Sequence, residues 1–519
     1  FSDEYNNHVK SKDYGKKNAL EIFEAIDSGK ELNLDHCYVP DFSIQAYRQK
    51  YEVGQLQKVV LKEFSCQHAF FESSEDIDFS DCLVEQPEIN FRNTVFGHGN
   101  LSFLRTVFSG AVDFSETIFM CRDVNFQYAE FGKGTKSFRN ARFHSRMVSF
   151  VNAVFLEGKV SFSSVNFGSA AVAFQFAKFG NGDLTFEKSF FLGDKIDFSK
   201  IEFGDGRVDF RLCQFGDGTI LFDESEMGKG KMRFRKATFG ECNLSFELVL
   251  FGSNEVSFER AHFDTGKLTF YRAEIQKLAF HEALLNNFVD FRLKKCHTLD
   301  LAGSIVRDII DFTNEDLWVE IKIINMSGMR LLGKMFIDWQ DNQVYEAVYG
   351  QNNSTNRQKA EQFRLLKENY NQLGHYNDED KAYLEFKRLE LKEYLANAKK
   401  QNAWNLVWAY PMYWGQVLLF DKIGHYATNP VRVLVSMLIA FWGFTFLYVV
   451  LIHLNISSIE SSLGDPDHLS VMSRSVYHSA ITFLTIGYGD YYPSGIIRWI
   501  SSIEGFAGLF LMSYFTVAF

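Results

Sequence analysis

The stretch VNFQYAEFGKGT, Val124 to Thr135, is answered at Val148 by VSFVNAVFLEGK and at Val160 by VSFSSVNFGSAA. In each, two phenylalanines stand five residues apart, and the next pair begins seven residues later. This period of 12 runs from Phe91 to Phe280 and accounts for much of the 55 Phe in 519 residues. An aliphatic residue stands two before the first Phe of a pair, as at Val124, Val148, Val172, Leu184 and Ile196. A short one stands two before the second, as at Ala129, Ala153, Ser189, Cys213 and Ala237. G-x-G often follows, as at Gly132/Gly134, Gly180/Gly182 and Gly204/Gly206. A fixed period outranks local propensity as evidence. Twelve residues are too few for a helix pair, and alternating inward residues mean short strands. Such a chain buries its Phe face only by coiling on itself, each Phe lying over the Phe of the next coil. The glycines are read as corners that need positive φ.

The A-x-F and V-x-F spacing resembles the pentapeptide-repeat family. The resemblance implies a right-handed, four-sided β-helix with a small residue and a central Leu or Phe pointing inward. This chain departs from the family by adding two residues, usually at G-x-G, to every second pentapeptide. Two units per coil give about 24 residues per coil, and sixteen units give about eight coils, roughly 38 Å at ~4.8 Å per layer. The period fades beyond Phe291, so 300–345 is expected to form irregular capping coils. A calcium-binding β-roll is excluded because no Asp recurs at a fixed place after G-x-G.

Seven cysteines without C-x-x-C spacing read as reduced, packed thiols of a cytosolic domain. Net charge is −11, with 9 Lys/Arg against 18 Asp/Glu in residues 1–90 and 24 against 22 in 91–280. No block is basic enough for nucleic-acid binding, and the near-neutral repeat argues against mimicry of DNA. No charged-then-apolar leader stands at the start, so no signal peptide is expected, and the chain starts without Met, as a fragment would. No hydrolytic triad, metal cluster or phosphate loop is seen, so an enzyme, catalytic residues and a cofactor are not expected.

After the polar stretch Gln351–Asn356, helices are expected over 358–374, stopped by Gly374, and over 378–400, capped by Asn377. Trp404, Trp408, Tyr410, Tyr413 and Trp414 suit a helix lying in the membrane interface, or equally one packed on the cytoplasmic part. Val433 to Ile459 holds no charge and is long enough to span a bilayer. A second apolar run follows from Ile496 to Phe519. Between them lie an acidic loop (Glu460, Asp465, Asp467), the short apolar segment Ser475–Leu484, and TIGYGD.

Thr482, Thr485, Gly487, Tyr488, Gly489 and Asp490 make T-x-x-T-x-G-Y-G-D, which resembles the filter of two-transmembrane, tetrameric potassium channels. The resemblance covers about 429–519. It implies that backbone carbonyls of Thr485, Ile486, Gly487 and Tyr488, with the Thr485 hydroxyl, replace the water around K⁺, the permeant ion. It also implies that Tyr488 turns outward against the pore helix and that Asp490 accepts a hydrogen bond from Tyr477. Gly508 or Gly505 is read as a gating hinge or as a close helix contact. Glu504, an acid in the membrane, needs a partner, and His478 is one candidate. Lys422 and Arg432 beside the first span place the N-terminal part in the cytoplasm of a plasma (inner) membrane protein.

The whole is expected to be a multi-domain chain. A cap over 1–60 precedes a β-solenoid over 61–350, a helical hairpin over 351–402 and a juxtamembrane helix over 403–428. A pore domain over 429–519 follows, with spans near 431–455 and 496–519, a pore helix near 475–485 and the filter at 485–490. The expected function is a K⁺-selective homotetrameric channel in a lipid bilayer, its solenoid modulating the gate and offering itself to an unnamed cytoplasmic regulator. The rival readings are a non-selective cation channel and a membrane-tethered scaffold.

Overall fold

The computed structural model describes residues 13–519 apart from 56, 253, 314–318, 402, 463 and 465–468. Asp465 and Asp467 of the expected acidic loop, and the Trp404 side chain, lie outside what is described. The chain divides into two compact units between Ser354 and Thr355.

The first unit is a four-sided β-solenoid. Strands Asp123–Asn125, Glu130–Phe131, Lys136–Ser137 and Arg142–Phe143 form one coil, and Met147–Ser149 then lies on Asp123–Asn125 in parallel register. That register joins residues 24 apart, two sequence units per coil. Each inward Phe therefore meets its own kind. Phe126 stacks on Phe150 and Phe150 on Phe174, both at 4.7 Å between centroids. Three further columns run beside it, through Phe131–Phe155, Phe138–Phe162 and Phe143–Phe167. All but the ends of these columns are fully buried. The short residue of each unit is small because a carbonyl of the preceding coil sits over it. Where it is polar it donates there: Ser189 to Phe162 O at 2.6 Å, Ser225 to Phe198 O at 2.9 Å. A buried hydroxyl is thus satisfied without breaking the ladder.

The corners differ from expectation. The left-handed residue recurs every 12 positions two after the first Phe, and it is not glycine: Tyr128, Asn140, Asn152, Ser164 and Phe176 have φ of 55 to 58°. Each is held because its N–H reaches the next coil, as Tyr128 N does Val151 O at 3.0 Å. Of the G-x-G glycines, Gly134 and Gly218 take the expected positive φ, at 105° and 118°, while others serve close approach. A Cβ at Gly182 or Gly206 would overlap the carbonyl oxygen of the glycine one coil below.

The solenoid is also longer than eight coils. Strands of the N-terminal segment, Cys37–Pro40 and Val59–Lys62, already belong to it, so 1–60 is not a separate cap. One face carries 12 parallel strands, from Asp76–Asp78 to Lys334–Phe336, and a bridge from Ser43 to Asp78 adds a layer. Thirteen layers at ~4.8 Å make about 58 Å between the first and last. Residues 300–313 and 319–336 continue the coils instead of forming irregular caps. There Leu301 and Val306 take Phe positions while Leu299 and Ile310 continue the aliphatic ones, and the register shortens to 21 residues at Leu278–Leu299.

Both ends are closed. Near the N-terminus, helix α1 (Ala19–Asp27) buries Ile22, Phe23 and Ile26, and α2 (Ile44–Lys50) supplies Arg48, which donates to Gly54 O, Gln57 O and Asp81 O. Near Ser354, helix α3 (Val344–Tyr349) covers the last coil. Two side-chain amides reach the carbonyls that a further coil would use: Asn342 Nδ2 donates to Phe312 O at 2.9 Å, and Gln351 Nε2 donates to Ile324 O.

One aliphatic slot holds a lysine. Lys136 occupies the position of Val124 and Val148, is fully buried, and donates to Leu156 O at 2.7 Å and Glu157 O at 2.9 Å. Burial, partly offset by Glu157, pushes its ammonium down to about 8 from 10.5. Below pH 8 the folded chain therefore carries a charge that it would rather lose. Stability rises with pH from about 8 to about 10.5, where the unfolded chain still holds the proton. Lys136→Met is expected to stabilise the solenoid by about 1–3 kcal/mol at pH 7. Melting curves of both proteins at pH 7 and pH 10 check this. A gain that does not shrink at pH 10 would mean that the charge is not the cause.

The second unit is helical. Helix α4 (Asn356–Leu373) begins two residues before expectation because Thr355 and Gln358 form a capping box, and Gly374 ends it at φ 75°. Helix α5 (Tyr376–Gln401) starts before Asn377, which lies in its first turn and is not its cap. Helix α6 (Ala403–Gln416) runs into a π-helical turn at Val417–Lys422. Then come α7 (Pro430–His453), α8 (Val471–Phe483) and α9 (Ile497–Ala518). Among the described residues, α7 and α9 are long and apolar enough to cross a membrane. Trp408 and Trp414 on α6 are exposed on the single chain.

Candidate ion-conduction site

Helix α8 starts at Ser470, whose hydroxyl accepts from Ser473 N, and ends at Phe483. The segment that follows is anchored by its first amides. Thr485 N donates to Thr482 O at 3.0 Å and Ile486 N to Ile481 O at 2.8 Å. From there alternate residues are left-handed: Thr485 at φ 55°, Gly487 at 63°, Gly489 at 78°. Alternation of this kind lets successive carbonyls face one side. Glycine makes it cheap at two positions. At Thr485 a β-branched residue takes it, at a cost of about 1–2 kcal/mol, and residual strain of this sort collects at functional segments. Nothing in its residue type marks Thr485 as sharing the left-handed backbone of the two glycines.

The far end is fixed from two sides. Tyr477 Oη on α8 donates to Asp490 Oδ2 at 2.7 Å. Asp490 O accepts from Ser462 N at 2.9 Å, where Ile459–Ser461 pairs antiparallel with Tyr491–Pro493. Arg474 donates to Ile459 O at 3.1 Å and lies over the Tyr491 ring. The cluster of Tyr448, Ile459, Tyr491 and Ile497 ties this pair of strands to α7 and α9. Tyr488 is 72% exposed on the single chain, so its ring does not wedge against its own α8.

Behind α8, Glu504 on α9 is fully buried. It accepts from Tyr448 Oη at 2.5 Å and from Ser479 Oγ. His478 is not its partner: His478 Nε2 lies 2.9 Å from Ser501 Oγ, which in turn lies 3.2 Å from Tyr448 Oη. One residue from each of α7 and α8 thus closes on a single carboxyl of α9. Helix α9 is unbroken through Gly505 and Gly508. At Gly508 a Cβ would overlap Phe483 O and stand 2.8 Å from Phe483 C, whereas at Gly505 the nearest atom is Thr482 O at 3.7 Å. Close approach of α9 to the end of α8 accounts for the first glycine. The side chain of Thr482 faces Gly505 through its methyl.

At the other end of α9, Tyr514 Oη donates to Phe420 O at 3.1 Å. The neighbouring Asp421 accepts from Arg388 Nη2 of α5 at 2.8 Å and Nε at 3.1 Å. Arg432 at the start of α7 donates to Lys422 O at 2.9 Å. The turn at 417–422 is therefore held by α5, α7 and α9 at once, a junction that the charge pattern of α5 did not reveal.

An apolar pair of helices flanking a half-length helix and an alternating loop is what the comparisons recognise. Residues 436–519 match the family model described as an ion channel. This stretch of the second unit is similar to an ion-channel domain. Protein LctB of Geobacillus stearothermophilus is 39% identical over 70 residues, 13% of this chain and 51% of that protein. Protein LctB of Bacillus caldotenax is 35% identical over 69 residues, with the same coverage. The chain spans about half the length of these curated relatives. No solved structure matches it. The family model's match lies within the second unit.

Proposed function

We propose that the protein is a K⁺-selective channel of four identical chains, with the solenoid on the cytoplasmic side of the plasma (inner) membrane modulating the gate. The observation that carries this reading is the segment Thr485–Asp490, whose alternating φ and Tyr477–Asp490 clamp suit a file of carbonyls. One chain supplies one such strand, and a ring of four surrounds an ion. Irregular backbone at membrane depth is tolerated where protein buries it or a cavity is lined. The junction of Arg388, Asp421, Phe420 and Tyr514 supports the gating role, because a displacement of α5 reaches the end of α9 through it.

The full chain in liposomes with a K⁺ gradient tests the reading. The expected reversal potential follows the K⁺ gradient and ignores Na⁺. Tyr488→Ala is expected to remove that preference, at least tenfold in permeability ratio, while the melting of the solenoid stays unchanged. A wild-type reversal potential indifferent to K⁺ overturns the proposal in favour of a non-selective pore.

A further inference from the structure

Along the outer surface of the solenoid, cations are paired with carboxylates one coil away. Arg105 meets Asp81 at 2.7 Å, Lys178 meets Glu202 at 2.6 Å, and Arg207 meets Asp183 at 2.7 Å, each across 24 residues. Arg233 departs from this pattern. Its ladder neighbours are Asp209 on one side and Ser257 on the other. Asp209 is already taken, since Arg211 Nε reaches its two oxygens at 2.9 and 2.8 Å. Ser257 offers no charge, and its oxygen accepts from Glu259 N at 3.4 Å, which leaves its hydrogen for another acceptor. Among the described residues Arg233 forms no ion pair and no side-chain hydrogen bond, although it is half-buried.

A cavity of about 280 Å³ opens at this place, lined by Arg211, Lys231, Arg233, Arg235, Glu255, Ser257 and Glu259. Its rim is ordered in advance. Lys231 is fixed by Glu255 at 2.7 Å, Arg235 by Glu259 at 3.3 Å, and Arg211 by Glu187 at 3.5 Å in addition to Asp209. Four cations against two carboxylates in the lining leave a local charge of +2, in a chain of net −11.

We propose that this cavity binds a small phosphate-bearing solute, a phosphomonoester or a pyrophosphate, with Arg233 as its central ligand. A guanidinium presents five N–H donors in a planar fork that matches two phosphate oxygens at once. Here the fork is partly desolvated and has no competing carboxylate. The neighbouring cations are already held in place, so little side-chain entropy is lost when the anion arrives. The volume admits a phosphate with a few attached atoms, and excludes a nucleic-acid strand. Glu255 and Glu259 remain with Lys231 and Arg235, and Asp209 and Glu187 with Arg211, so the net attraction is exerted by Arg233.

Isothermal titration of the full chain in nanodiscs with sodium pyrophosphate, against sodium chloride at equal ionic strength, tests the site. One pyrophosphate per chain is expected. Arg233→Ala should weaken binding at least tenfold, and Arg233→Gln, which keeps the bulk, should weaken it as much. Arg207→Ala, which removes a paired cation outside the cavity, should leave it within twofold. Because Arg233 makes no bond in the empty site, neither of its variants should shift the melting temperature. Absence of binding at millimolar pyrophosphate, equal binding of chloride, or unchanged affinity in Arg233→Gln overturns the proposal.

Discussion

Phe174→Ala is expected to lower the stability of the solenoid by about 3–5 kcal/mol. The ring is fully buried and lies in the middle of its column, 4.7 Å from Phe150 and 5.3 Å from Phe198. Edge contacts with Phe162 and Phe186 at 5.6 and 5.9 Å surround it. Ladder hydrogen bonds fix the coils above and below, so the backbone cannot close the gap. Lys178→Ala, four residues away, removes only an exposed pair with Glu202 and should cost under about 0.5 kcal/mol. A solenoid gains its stability from neighbouring layers. The void should therefore also divide the unfolding transition in two, one for each side of the weakened layer. Calorimetry or urea melts of both variants decide. Equal shifts would mean that the inward assignment is wrong.

Gly508→Ala is expected to disable the channel domain. The added methyl would occupy the space of the Phe483 carbonyl, and repacking α9 away from α8 costs about 1–3 kcal/mol per chain. In the proposed tetramer four chains would bear it together, so the assembly should melt far below wild type and the proposed K⁺ flux should fall. Gly505→Ala, with no atom nearer than 3.7 Å, should be tolerated, and gains up to about 1 kcal/mol of helix propensity. Detergent-resistant tetramer and flux from liposomes are the readouts. If Gly508→Ala melts normally and only changes the open probability, the glycine serves bending and not packing.

The repeat was legible because selection for a stacked ring leaves the same letter at the same interval. It ceased to be legible where the letter changed but the volume did not. Leu301 and Val306 fill the column as Phe does, and a reading tuned to Phe291 and its predecessors stopped too early. The same holds before Phe91, where Val59, Leu61 and Cys66 line the first coils and α1 and α2 interrupt them. At the pore the spacing of Thr482, Gly487 and Gly489 named the segment. The partners of Glu504 on α9 came from two other helices, Tyr448 from α7 and Ser479 from α8, and no local pattern could bring these together. Arg233 was equally silent, since its meaning depends on a carboxylate that a residue two positions from it has claimed.

The amides of Asn342 and Gln351 have a bearing on assembly. A stack of identical parallel coils has no intrinsic length; its last layer is a template for the next, and a template of bare strand edges recruits whatever chain can pair with it. By seating side-chain donors on Phe312 O and Ile324 O, and laying α3 across the opening, the chain takes two acceptors away from a newcomer. In the proposed tetramer, four solenoids with bare ends would be seeds for fibre growth. Here two carboxamides make the stack finite.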